Sequence, residues 1–68
     1  MEKNKLLLKA ALLYFESEKA AAEVNLDIYL KNAVGVGEHP NIVKEVIELT
    51  KRIAEADECI KVLQPKLV

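Results

Sequence analysis

The sequence predicts an all-α fold: an antiparallel two-helix hairpin that assembles into a four-helix bundle. Three observations carry that expectation. Gly35, Gly37 and Pro40 fall together in one short stretch, and the only other helix breaker is Pro65 near the far end. On either side of that stretch, aliphatic residues recur at alternating steps of four and three, the spacing that keeps side chains on one helix face. The composition is 51% hydrophobic, 31% charged and 4% aromatic, which is that of a helical bundle and of neither a disordered nor a membrane-spanning chain. At 68 residues there is room for one domain, read as helix 3–33, loop 34–39 and helix 40–64.

The first helix carries the stripe Leu8, Leu12, Phe15, Lys19, Ala22, Leu26, Tyr29 and Ala33. The second carries Ile42, Val46, Leu49, Ile53, Ala56, Ile60, Leu63 and Leu67, unbroken by any polar residue. A connection this short forces the helices antiparallel. Folding the chain back then sets Leu8 against Leu67, Leu12 against Leu63, Phe15 against Ile60, Lys19 against Ala56, Ala22 against Ile53 and Leu26 against Leu49, with Tyr29–Val46 and Ala33–Ile42 closing the seam. Lys19 alone breaks the pattern, and the small Ala56 opposite leaves space for its stem to reach water. Opposite charges four residues apart, Glu48–Arg52, Lys51–Glu55, Asp57–Lys61 and Asp27–Lys31, mark solvated faces; each such pair contributes about 0.2–0.5 kcal/mol.

One hairpin is a small core. At this length, burial and the entropy of ordering nearly cancel. The first helix also has more apolar surface than one seam hides. Leu6, Ala10, Leu13, Ala20 and Val24 form a second row, roughly 140–160° around the helix from the first. Leu7, Ala11 and Tyr14 add a third edge. A helix apolar on two sides belongs at the centre of an assembly, so the expected form is a homodimer or homotetramer, with the second row as its interface. The alternative is that this row docks on a different protein.

Chemistry is sparse. In the loop, either Gly35 or Gly37 can take the left-handed conformation that closes a helix, and Pro40 suits the first position of the next one. Glu38 and His39 invite reading as a metal half-site or an acid/base pair. A zinc site needs three or four ligands, however, and this is the only His in the chain, with no Cys nearby. A cap for the second helix is the stronger reading of the pair. The Gly-Val-Gly run lacks the Lys-Ser/Thr of a phosphate loop, and Pro40 stands where a dinucleotide fingerprint requires its third Gly. Cys59 has no partner for an internal disulfide, which suits a reducing cytoplasm, and it reads as a structural thiol beside the seam. Glu45, Glu48 and Glu55 lack the Glu-x-x-His pattern of di-metal bundles. Tyr14 and Tyr29 read as packing residues with wet hydroxyls. No enzyme activity and no cofactor is expected.

The N-terminus resembles the start of a signal peptide at Lys3, Lys5 and Leu6-Leu7-Leu8. Lys9 then interrupts the apolar run, and Glu16, Glu18 and Lys19 occupy the place of a cleavage site, so the first turns of a helix are expected there. No stretch approaches the roughly 18–20 apolar residues of a membrane span. Lys3, Lys5, Lys9, Lys61 and Lys66 gather at the end of the hairpin opposite the loop. Against a nucleic-acid role stand a net charge of −1, a pI near 5.8 and the absence of any Arg-rich run or aromatic interleaving.

Segment 29–43, YLKNAVGVGEHPNIV, resembles a loop carried by small uncharacterised proteins of T4-like marine phages, including phages of cyanobacteria. The resemblance covers some fifteen residues, with only helical character beyond them. It implies a phage product in the host cytoplasm, acting on a host or phage protein, with no assigned activity and no catalytic residues to carry over. The expected function is therefore a small non-enzymatic oligomeric protein–protein interaction module. The alternative is an accessory nucleic-acid-binding or transcription-modulating protein that uses the lysine-bearing end.

The seam assignment is open to test. Ile53→Asp places a carboxylate opposite Ala22, where an unpaired charge costs several kcal/mol. Circular dichroism on this variant is expected to show lost helicity or lost assembly; unchanged thermal stability means the wrong face was assigned.

Overall fold

The computed structural model describes residues 2–31 and 41–67. Helix α1 spans Glu2–Lys31 and helix α2 spans Ile42–Leu63; a 3-10 turn, Gln64–Leu67, continues from α2. Among the described residues there is no strand. The two helices pack side by side along their length as an antiparallel hairpin, and the 3-10 turn returns onto α1.

Local sequence explains the elements. α1 runs 30 residues without Gly or Pro, is rich in Ala and Leu, and places Lys31 in its last turn, where a cation meets the negative end of the helix dipole. α2 has Asn41 at its N-cap position, whose carbonyl accepts the backbone N–H of Glu45 at 2.9 Å while its side chain makes no cap bond. Glu45 in the first turn and Lys61 in the last complement that dipole. Thr50 returns its hydroxyl to the Val46 carbonyl at 2.7 Å, the usual way a helix accommodates a mid-element Thr. At the far end the Gln64 N–H still reaches the Ile60 carbonyl. Pro65 then has no N–H to continue the ladder, and the chain tightens into the 3-10 turn that leaves Leu67 half-buried.

The seam is the one the periodicity predicts. Ala22, Leu49, Ala56 and Ile60 are buried. Leu8, Leu12, Phe15, Lys19, Leu26 and Tyr29 on α1 are half-buried, as are Ile42, Val46, Ile53 and Leu63 on α2. Ala33, the loop residues Gly35, Gly37, Glu38 and His39, and Pro40 lie outside the described residues.

Charge pairing departs from expectation. Of the four in-helix pairs, Lys51–Glu55 and Asp27–Lys31 do not close, and their exposed side chains stay in water. Two other expected placements are replaced by contacts across the seam. Lys19 does not simply run past Ala56 into water: its Nζ donates to Oδ1 of Asp57, the next residue along α2, at 2.9 Å. Arg52 turns away from Glu48 and crosses to Glu18 on α1 at 3.2 Å. In both cases a partner on the facing helix is within reach of a long side chain, and it displaces solvent or the in-helix neighbour. The expected Asp57–Lys61 pair does form, at 3.2 Å.

The result is a rod. Its extents are 53 × 14 × 13 Å and its radius of gyration is 15.6 Å, where a compact domain of this length would have about 11 Å. No large side chain is fully buried among the described residues. Accessible surface is 5400 Å², whereas a compact monomer of 7.6 kDa exposes about 4,300 Å².

Such a thin core concentrates its stability in few contacts. Leu49→Ala removes the largest aliphatic side chain below 6% exposure and is expected to cost about 2–4 kcal/mol. Urea unfolding checks this; a loss below about 1 kcal/mol would show that the seam collapses freely around the cavity.

Candidate functional site

Once α1 has buried its first stripe against α2, its opposite side is left in solvent. Leu6, Leu13 and Val24 are each more than half exposed, and Ala10 and Ala20 are exposed between them. Ser17 and Ala21 complete the row and are exposed as well. Helix geometry explains the placement: steps of four and three starting from Leu6 track a line nearly half a turn around from Leu8, Leu12 and Phe15. α1 is thus apolar on two opposite sides, while α2 concentrates its apolar residues toward the seam.

The third edge is split. Leu7 and Tyr14 are exposed, and Ala11 is half-buried. Tyr14 meets Phe15 edge to face, with ring centroids 5.0 Å apart at 80°. That contact holds its ring at the rim of a shallow hollow bordered by Glu18, Arg52 and Ala56. Tyr29 is half-buried, as a packing residue should be.

Sequence periodicity missed a second apolar row. Val43 and Ile47 are exposed on α2, followed by Thr50 and Ala54 at the same alternating step. With Leu26 and Ile53 behind them, Thr50 and Ala54 flank an open groove on one side of the hairpin. Its spacing repeats that of the stripe Ile42, Val46, Leu49 and Ile53 one residue on, so the two rows overlap in the sequence. Leu30 and Val62 are also exposed.

The polar groups around these faces are structural ties. Asp57 receives Lys19 at 2.9 Å and Lys61 at 3.2 Å, so one carboxylate holds two ammonium groups. The hydrogen bond from Lys19, with that from Lys61 and their positive charges, lowers the Asp57 pKa from its ordinary value. The same hydrogen bond and the Asp57 charge raise Lys19. Both side chains are about one-third exposed, so water screens the pair.

Elsewhere the chemistry is thin. Among the described residues no group of three His, Cys, Asp or Glu is placed to hold a metal ion. Cys59 is a half-buried free thiol on a flank of α2. Glu45, Glu48 and Glu55 are all exposed. At the termini end, Lys5 and Lys9 flank Leu6 and Leu67 in a shallow concavity, and Lys3, Lys61 and Lys66 are exposed. No described helix is long and apolar enough to cross a membrane. No protein-family model, curated protein or solved structure matches the chain.

The Lys19–Asp57 tie has a pH signature. Because the folded Asp57 pKa is lowered, its contribution is present above the ordinary carboxylate range and is lost as pH falls through the depressed value. Lys19 is raised, so its contribution is complete below the ordinary lysine value and is lost as pH rises through the elevated one. Between those limits, Asp57→Asn is expected to unfold at lower urea than the parent, and the gap is expected to close in acid. A gap that stays constant from neutral to strongly acid pH would show that the carboxylate charge contributes nothing.

Proposed function

We propose that this chain is a small non-enzymatic oligomeric protein–protein interaction module, working through the apolar back of α1. One observation carries it: Leu6, Leu13 and Val24 stand in solvent along one face of a helix that has already buried its opposite face. Monomeric proteins rarely leave so continuous an apolar stripe uncovered, and such stripes mark docking surfaces. The surrounding chemistry supports a binding role, since the ion pairs Lys19–Asp57 and Glu18–Arg52 join the two helices at the edges of the seam and leave the exposed row apolar. The resemblance of segment 29–43 to loops of marine phage proteins adds a setting, an accessory phage product acting in the host cytoplasm.

The second reading, nucleic-acid binding, rests on Lys5 and Lys9 flanking one concavity at the termini end. It predicts an affinity for mixed DNA or RNA that falls steeply with salt, because each phosphate contact releases counterions. No binding at low salt removes it.

Association coupled to folding gives the module reading its own test. The thermal midpoint is expected to rise over about a hundredfold increase in protein concentration, as it does for proteins whose folding and assembly are linked. Leu13→Glu is expected to flatten that dependence while helicity at high concentration persists, because Leu13 makes no part of the seam. A parent chain with a concentration-independent midpoint counts against an oligomeric module.

A further inference from the structure

The back of α1 can be read for the occupant it fits. The chain exposes about 1,100 Å² more than a compact monomer of its mass, given its 5400 Å² surface. A stable complex of standard size hides about 800 Å² on each partner. A second copy seated on this face therefore covers most of the excess on both chains at once. The face is also long enough, since 30 helical residues extend about 45 Å.

The order of side-chain sizes along the row selects a direction. Leu6 and Leu13 lie toward one end, Ser17, Ala20 and Ala21 form the middle, and Val24 and the exposed Ile28 follow. When two α1 helices run antiparallel about an axis at Ser17, Leu13 faces Ala20 and Ala21 of the second copy, and Ala10 faces its Val24. Large residues meet small ones in these inner layers, the small centre lets the helices approach closely, and at each end Leu6 meets Ile28 of the second copy. A parallel pair stacks Leu on Leu and Ala on Ala, leaving the middle underfilled. Charge agrees: Lys9 and Asp27 lie on the same flank of the row, so antiparallel pairing brings Lys9 within two residues of level with the second copy's Asp27, whereas parallel pairing puts these flanks on opposite sides of the interface and makes no such pair.

We infer that the back of α1 is a homodimer interface in which two hairpins pack antiparallel about Ser17, with the two α1 helices central and the α2 helices outside. This rests on the module reading above and names its partner as a second copy of the chain. Because the two apolar sides of α1 are nearly opposite, the four helices form a layer and not a closed square bundle, where neighbouring contacts would sit about 90° apart.

Cysteine cross-linking in a Cys59→Ala background tests both partner and direction. Ala10→Cys and Val24→Cys are purified separately, mixed, and oxidised gently. A mixed covalent dimer is expected, with little product from either variant by itself, since like positions lie about 20 Å apart in the antiparallel pair. Self-linking of Ala10→Cys at least as efficient as the mixed reaction overturns the antiparallel interface, yet leaves the oligomeric module standing. Sedimentation gives the other arm: the parent should weigh twice 7.6 kDa, and Leu13→Glu should weigh one chain with its helicity kept. A dimer that survives Leu13→Glu overturns this interface and spares the module. A folded monomeric parent overturns both.

Discussion

Two helices that cross once share a single line of contact, and everything else about this chain follows from that limit. Along the line, Ala22, Leu49, Ala56 and Ile60 are the only buried hydrophobic residues among those described; their neighbours on the stripe are half-exposed at the edges. A hairpin has no third element to close over those edges. Among the described residues, apolar side chains beyond the first stripe stay at the surface, and α1, which carries two stripes, displays one of them. The rod shape and the surplus surface are two expressions of the same geometric constraint.

The polar interruption in the seam is the next consequence. An all-aliphatic stripe on both helices is compatible with sliding by a heptad, because each register buries similar residues. Lys19 removes that degeneracy. Its ammonium reaches Asp57 in the observed register, and Asp57 is also held by Lys61 from its own helix. A shift by one heptad would set Thr50 or Gln64 where Asp57 stands and leave Lys19 without its carboxylate partner. Being about one-third exposed, the pair adds little net stability; its effect is to favour the one register in which the two charges meet. The Arg52–Glu18 contact crosses the opposite edge of the seam and pins the same alignment from the other side.

What was legible in the sequence divides along physical lines. Periodicity is a property of one helix, so the stripes from Leu8 to Tyr29 and from Ile42 to Leu67 could be read directly, and the antiparallel pairing followed from the short connection. Contacts between helices depend on how each is rotated about its axis, which spacing does not specify. For that reason Arg52 was assigned to Glu48 when it reaches Glu18, and Lys19 was sent to water when Asp57 stands beside it. The exposed row on α1 was legible because it repeats the seam's own rhythm. The shorter row from Val43 through Ile47 to Ala54 has the same rhythm, but it runs beside an unbroken stripe, and a search for one face per helix passes over it.

A surface of this kind recognises partners by shape more than by chemistry. The exposed back of α1 offers Leu, Val and Ala with one hydroxyl at Ser17, so it presents few hydrogen bonds for a partner to match. Discrimination then depends on where bulk and gaps fall along the helix, and on which flanking charges are brought together. The order on α1 is bulky near Leu6 and Leu13, small through Ser17 and Ala21, and bulky again at Val24 and Ile28, and its own reversed copy would fill the inner layers of that pattern. A foreign helix meets the same requirement only if it carries the complementary order of sizes. On the proposed reading, what the described residues carry about a partner lies in the spacing of their side-chain volumes.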